Sequence, residues 1–272
     1  MSFRSLTVVL PAYNEEARLG PGLDELFGYL RRRGDAAREG APGSAELPDA
    51  VTVLVVDDGS TDRTADLVRE RPEAAERVTV DGTERPLLDV LTVPHGGKGA
   101  AVRAGMLAAD GEIVVFADAD MATPPDELVR LVRALEDADV ALGSRIQPDG
   151  SDMRASQPAW RRALGKTFHL LASVWVVGPV QDTQCGFKGF RREAARDVFE
   201  RQQVTSIVFD VELIYLVRRR GYAFTVVPIR WADRRGSRMQ PGPLLALRVA
   251  WDLFRIPLLH RKVPRLRRAS AG

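Results

Sequence analysis

The sequence predicts an α/β protein built on a mostly parallel sheet with helices on both faces. Three observations carry that expectation. Short runs that are almost wholly apolar and rich in β-branched residues recur through the first half of the chain, as in strands buried on both faces. Stretches with helical periodicity separate them, and such alternation is the mark of parallel strand–helix–strand units. The chain is 272 residues long, enough for one large domain with a sizeable core.

The elements follow in order. Strands are expected at 6–10, 51–56, 88–93, 113–117 and 140–142, each closed by Pro, Asp or Gly. Helices are expected at 15–33, 62–71, 99–109 and 125–137. Residues 34–50 read as a surface insertion, and 71–85 as a second one with edge structure. After Arg145 the rhythm changes. A polar loop at 147–157 precedes an apolar helical stretch at 160–177, then a loop with a strand over 181–190. Helices near 193–201 and 210–220, and a strand over 224–231, complete the main body. Residues 244–259 read as an amphipathic helix interrupted by Pro257. The expected division is a main domain over 1–240 and an amphipathic, basic extension over 241–272.

Composition excludes several classes. With 45% apolar and 28% charged residues, wholesale disorder is ruled out. One cysteine, Cys185, excludes an internal disulfide framework and a cysteine-based zinc cluster, and three histidines argue against a histidine-rich metal site. The longest stretch without a formal charge, 167–181, is fifteen residues, short of the about 20 a membrane span needs. The apolar run at 6–10 is too short for a signal peptide. A chain that stays in a reducing cytoplasm is expected. The net charge of +2 hides an asymmetry: residues 230–272 carry +9, so the first 229 carry −7.

In open parallel sheets, ligands bind at the carboxyl ends of the strands, and there the unusual residues fall. The first strand runs into Pro11-Ala-Tyr-Asn-Glu15, the second into Asp57-Asp-Gly-Ser-Thr-Asp62, the third into His95-Gly-Gly-Lys-Gly99, and the fourth into Asp118-Ala-Asp120. In an extended segment Asp118 and Asp120 point to one side. Two carboxylates without histidine suit Mg²⁺ or Mn²⁺ bridged to a diphosphate. Of Asp57 and Asp58, one is open to a purely structural role, since Asp-Gly makes turns and Ser60 or Thr61 can cap a helix. Asp57, at the strand end, is the one placed to accept from a base edge. The loop holding Lys98 fits either a phosphate cradle or a tight turn.

Together these segments resemble the family 2 glycosyltransferases of GT-A fold, over roughly the first 145 residues. The resemblance implies that Pro11, Ala12, Tyr13, Glu15 and Asp57 hold base and ribose. It implies that Asp118, Ala119 and Asp120 hold ribose and a metal-bound diphosphate, with Asp118 and Asp120 as metal ligands. The second half narrows it. Gly143-Ser-Arg145, Asp182-Thr-Gln-Cys-Gly-Phe-Lys188, Phe209-Asp-Val-Glu-Leu213, the strand ending at Trp231 and Gly236-Ser-Arg238 resemble the dolichyl-phosphate glucosyltransferases. The polyprenyl-phosphate mannosyltransferases are a less close match; Ala122 stands where some of them carry a glutamine ligand. The Gln-x-x-Arg-Trp signature of processive polysaccharide synthases is absent.

Such an acceptor makes physical sense. A hydroxyl acceptor needs a general base, whereas a phosphate monoester already carries about −1.5 to −2 charges at pH 7. It needs cations to hold it in line, and arginine provides bidentate geometry. Arg145 is the first candidate, followed by Arg161, Arg162 and Arg238, with Gln184 beside them. Asp182 either orients the acceptor, acts as a base, or is a turn residue before Thr183. Lys98, Arg145 and Asp182 form the expected catalytic set, and Cys185 is read as a packing residue.

The expected reaction is inverting transfer of a hexose from a nucleotide-diphosphate sugar to polyprenyl phosphate, with UDP-glucose preferred and GDP-mannose the alternative. Transfer to a soluble hydroxyl, or binding of a nucleotide sugar without catalysis, are the other readings. The apolar stretch 243–259 precedes Arg261, Lys262, Arg265, Arg267 and Arg268 with no acid after Asp252. It reads either as peripheral docking on the anionic cytoplasmic face of a membrane or as a core helix with a basic tail. Nucleic acid is excluded as a partner, since no recognised binding fold accompanies the tail.

Overall fold

A computed structural model of the chain describes residues 3–39, 47–153, 168, 172–180, 182–234 and 243–266. The expected strands form, and each runs slightly longer or shorter than its apolar run. They are β1 (Ser5–Ala12), β2 (Ala50–Asp57), β5 (Leu88–Thr92), β6 (Ile113–Phe116), β7 (Val140–Ser144), β8 (Lys188–Arg191) and β9 (Phe224–Pro228). One seven-stranded sheet results, in the order β5-β2-β1-β6-β8-β7-β9. Every strand is parallel except β8, which runs antiparallel to both β6 and β7. The 71–85 insertion folds as a separate hairpin, β3 (Arg77–Val80) with β4 (Thr83–Pro86).

Burial on both faces explains why the strands are apolar throughout. Val114 and Phe116 of β6 face one layer while Ile113 and Val115 face the other, the period of two that a pleated strand imposes. One layer is covered by α1 (Glu16–Arg38), α2 (Thr64–Arg69) and α4 (Leu128–Asp137), through Leu19, Leu23, Phe27, Val68, Leu131 and Leu135. On the other lie α3 (Lys98–Ala108), α5 (Arg192–Arg201), α6 (Phe209–Arg220) and α7 (Pro243–Leu259).

Four features depart from expectation, the first being that β9 stops at Pro228, short of Trp231. Helix α1 continues to Arg38 and so absorbs the start of the 34–50 insertion. Of the 160–177 stretch, the described part includes a π-helical turn at Ser173–Val177. Helix α7 passes through Pro257 unbroken. That proline sits in the last turn, where its missing N–H removes only one intrahelical bond.

The antiparallel strand places the site. Parallel strands all end at one edge of the sheet, and β8 begins at that edge. Residues 182–187, which lead into β8, therefore meet the residues that follow β6 and β7.

Candidate active site

The first two motifs are laced together. Ala12 and Asp57 are paired across β1 and β2. Beyond them Asn14 takes a left-handed φ of 52°. Its N–H donates to Ser60 Oγ (2.8 Å) and its Oδ1 accepts from Thr61 N–H (2.8 Å). Glu15 N–H donates to Thr64 Oγ1 (2.8 Å), and the Glu15 carboxylate pairs with Arg18. Tyr13 stacks on His95, with centroids 4.2 Å apart and planes inclined by 24°.

The adjacent aspartates divide their roles. Asp58 is buried, and its carboxylate accepts from Gly96 N–H (2.8 Å) and Gly97 N–H (2.9 Å), with His95 Nδ1 at 2.9 Å. It pins the loop that leads to Lys98. Asp57, also buried, accepts from Ser60 N–H at 3.2 Å. Gly59 makes the close approach possible: its φ is +69°, and a Cβ there would lie 2.9 Å from His95 N.

The Asp118-Ala-Asp120 segment is not extended, contrary to expectation. Strand β6 ends at Phe116, and a turn closed by Met121 N–H donating to the Asp118 carbonyl (3.1 Å) follows, with Met121 at φ 49°. The two carboxylates still act on each other. Burial first, and then the Asp118 charge, push the Asp120 carboxyl above the usual range; the Ala122 N–H, Arg18 and Lys98 offset this only in part. Lys98 Nζ lies 2.5 Å from Asp118 Oδ1. Burial pulls the Lys98 ammonium down, but Asp118, Asp210 and Asp120 outweigh it and leave it above the ordinary lysine value. Gly186 lies against the same carboxylate: a Cβ there would meet Asp118 Oδ2 at 2.4 Å.

Behind this pair is a second one. Lys188 is fully buried, with Nζ 2.5 Å from Asp210 Oδ1, 2.6 Å from the Cys185 carbonyl and 5.4 Å from the centre of the Phe116 ring. Burial raises the Asp210 carboxyl against the pull of Lys188 and Lys98. Burial, and then Asp182, push the Cys185 thiol up to about 12, so it is neutral at ordinary pH, as a packing residue is.

Arg145 and Asp182 are brought together as partners. The Asp182 carboxylate accepts from Arg145 N–H (2.7 Å), Nε (2.8 Å) and Nη2 (2.5 Å). Both side chains are largely buried, and the guanidinium lies 5.5 Å over the Trp231 ring. Despite burial, Asp182 holds the Arg145 guanidinium above its usual value, with a contribution from Asp118. Asp182 sits at φ 50°, a conformation that aspartate tolerates better than most residues. Gln184 donates from Nε2 to the Ile207 carbonyl (3.3 Å). Arg161, Arg162 and Arg238 lie outside the described residues.

Sequence reasoning missed Arg18, Gly186, Lys188, Asp210 and Trp231 as members of this cluster. A lysine inside the apolar run Phe187–Phe190 and an acid between Phe209 and Val211 were the available signals, because a charged residue in such a setting is almost never buried unpaired.

Comparison with known proteins agrees with this geometry. The Glycosyl transferase family 2 profile matches residues 7–199. A dolichyl-phosphate beta-glucosyltransferase of Trichomonas vaginalis is 35% identical, covering 94% of this chain and 71% of its own. The dolichyl-phosphate beta-glucosyltransferase of Drosophila melanogaster is 36% identical over 92% of this chain and 74% of its own, and that of Homo sapiens 33% identical over 88% and 70%. Among solved structures, glucosyl-3-phosphoglycerate synthase from Mycobacterium tuberculosis in complex with Mn²⁺, UDP and phosphoglyceric acid shares the fold. Its TM-score is 0.57 at 21% identity, over 96% of this chain and 80% of that one. The α/β sheet is thus of GT-A type, and the chain belongs to glycosyl transferase family 2.

Proposed function

We propose that this chain transfers glucose, with inversion, from UDP-glucose to a polyprenyl phosphate of the dolichyl type. The observation that carries the reading is the meeting of Lys98, Asp118 and Asp120 with the Arg145–Asp182 pair on one sheet edge, in a chain similar to proteins named dolichyl-phosphate beta-glucosyltransferase. In this reading Pro11, Ala12, Tyr13, Glu15 and Asp57 hold uracil and ribose, and Ala119 with its flanking aspartates holds the sugar diphosphate.

The donor set fits a divalent cation. Among the described residues no group of three or more His, Cys, Asp and Glu could hold a metal. Asp118 and Asp120 would therefore share the ion with diphosphate oxygens and water, as Mg²⁺ and Mn²⁺ accept. Burial first, and then the Asp118 charge, hold the Asp120 carboxyl above the usual range, and a cation between the two carboxylates would relieve the second of these causes. When bound, the ion neutralises charge on the departing diphosphate.

The chain's own residues do the rest. Arg145, held in one orientation by Asp182, grips the acceptor phosphate, with Gln184, Arg161 and Arg238 as further contacts. An acceptor oxygen, already ionised, attacks the anomeric carbon as the bond to the diphosphate breaks and UDP leaves. No proton is removed in this step, so Asp182 serves as a positioning residue. Lys98 adds charge at the diphosphate. A lipid acceptor places the reaction at a membrane, here the cytoplasmic face.

The deciding experiment incubates the protein with radiolabelled UDP-glucose, dolichyl phosphate and Mg²⁺, with GDP-mannose in a parallel arm. Label from UDP-glucose is expected in the organic phase. Label from GDP-mannose alone would move the reading to the mannosyl class, and label only on water-soluble acceptors would overturn it.

A further inference from the structure

Helix α7 has two faces of opposite character. Leu247, Trp251, Phe254 and Leu258 occur at the i, i+4, i+7, i+11 spacing of one stripe, and all four are exposed, Leu247 by 69% and Trp251 by 60%. The π-helical turn adds Val174, exposed by 79%, and Trp175, exposed by 55%. These two elements are joined. The Trp175 ring stacks on Phe254 at 5.9 Å with planes 7° apart, its Nε1 donates to the Phe254 carbonyl (3.4 Å), and Trp251 lies 6.1 Å from Phe254. Single exposed apolar residues are ordinary, but six large ones in one patch mark an interaction surface.

Charge identifies the occupant. Arg248, Arg261, Lys262 and Arg265 are exposed on α7 and just beyond it. The one acid of the segment, Asp252, is buried, where it accepts from Ser206 Oγ (2.5 Å) and pairs with Arg255 (2.8 Å). An apolar stripe with a tryptophan on either side of Phe254 and a rim of cations matches the boundary between anionic head groups and acyl chains. No helix among the described residues is long and apolar enough to cross a membrane. We infer that the outer face of α7, together with Val174 and Trp175, docks on an anionic lipid surface.

The residue that follows the helix is tied to the site. His260 Nε2 lies 2.7 Å from Glu212 Oε1, both fully buried, and Glu212 accepts from Gln203 N–H (2.9 Å) and Val204 N–H (2.8 Å). The next residue, Thr205, accepts the Gly99 N–H at 3.1 Å, one residue from Lys98. Docking the outer face would thereby hold Lys98 and the aspartates beside it at a set height above the lipid. This purpose rests on the lipid-phosphate reading given above; the surface itself is tested without any acceptor.

The experiment is co-sedimentation of the whole chain with vesicles of phosphatidylcholine alone or mixed with phosphatidylglycerol, containing no polyprenyl phosphate. Wild type is expected to bind the anionic vesicles more tightly. The pair Trp251→Ser and Phe254→Ser should weaken binding by about tenfold or more, with the melting temperature as a check of folding. Val174→Asp, off the helix, should weaken it as well, while Lys262→Glu with Arg265→Glu should act on anionic vesicles only. Wild type that ignores both vesicles, or apolar variants that bind as wild type does, would overturn the inference. So would a wild-type dimer that Trp251→Ser dissociates, since a second copy would then cover the face. Vesicle binding without glucose transfer to any lipid would overturn the function proposed above and leave this surface standing.

Discussion

The rim carries two carboxylate loops that differ in how their charge is met. Asp182 accepts three N–H groups from Arg145 and is buried with it. Asp120 shares its turn with a second carboxylate, accepts from the Ala122 N–H at 3.1 Å, and is pushed above the usual range by burial and by Asp118. A carboxylate paired with a cation holds structure in place, whereas two carboxylates sharing one turn would be relieved by a divalent cation between them. The contrast separates positioning from binding within one continuous edge.

Removing each acid should therefore have opposite signatures. Asp120→Ala is expected to cost the most activity, about a thousandfold or more in kcat, equivalent to about 4 kcal/mol of transition-state stabilisation. Stability should not follow. The folded value of Asp120 lies above its unfolded one, so the stability it contributes is present below the unfolded value and lost as pH rises through the folded one. At neutral pH the metal-free variant should melt at the wild-type temperature or higher. Near-normal turnover, or a clear drop in melting temperature, would erase the distinction.

Asp182→Asn should show the reverse balance. Asparagine suits the φ of 50° at this position, so the backbone stays in place while the charge facing Arg145 is lost. Leaving a buried charge without its partner costs about 3 kcal/mol, visible as a lower melting temperature. The KM for acceptor phosphate should rise by about tenfold while that for UDP-glucose stays constant, because the guanidinium is no longer fixed. A general base would behave differently. It would lower kcat and shift the pH–rate profile, and that result would return Asp182 to proton transfer.

The same contrast explains what the sequence discloses. Asp118 and Asp120 stand out because they follow an unbroken apolar strand and have no local helix cap to explain them. Asp57 and Asp58, by contrast, are separable only when the Gly96 and Gly97 N–H groups are seen on Asp58. The second half is less legible. Strand β8 runs antiparallel between two strands that come before it in the chain, and no local pattern reports where a short strand will insert. That insertion is what brings Gly186 to Asp118, Asp182 to Arg145 and Lys188 to Asp210. The residue just past α7 is hidden for a related reason: His260 reads as an isolated histidine until Glu212 is placed opposite it.

Lys98 offers the finest test of the comparison, because its ammonium is in direct contact with one of the two aspartates. Its ammonium lies 2.5 Å from Asp118 Oδ1, yet both side chains are about two-fifths exposed, so the pair can open at little cost. A divalent ion at Asp118 would meet this ammonium at close range and displace it, and the donor diphosphate gives it an alternative anion. Lys98→Met is therefore expected to bind Mn²⁺ alone about tenfold more tightly than wild type, a coupling of about 1.4 kcal/mol. Reciprocity adds a second readout. Mn²⁺ and UDP should strengthen each other's binding in wild type, and that mutual effect should shrink in the variant, as titration calorimetry with each ligand alone and then together would show. Tighter Mn²⁺ binding of equal size in Arg18→Met, which removes a cation that acts on both aspartates from the first turn of α1, would reduce the effect to the general field. Unchanged Mn²⁺ affinity in Lys98→Met would mean that the lysine never holds the place of the ion.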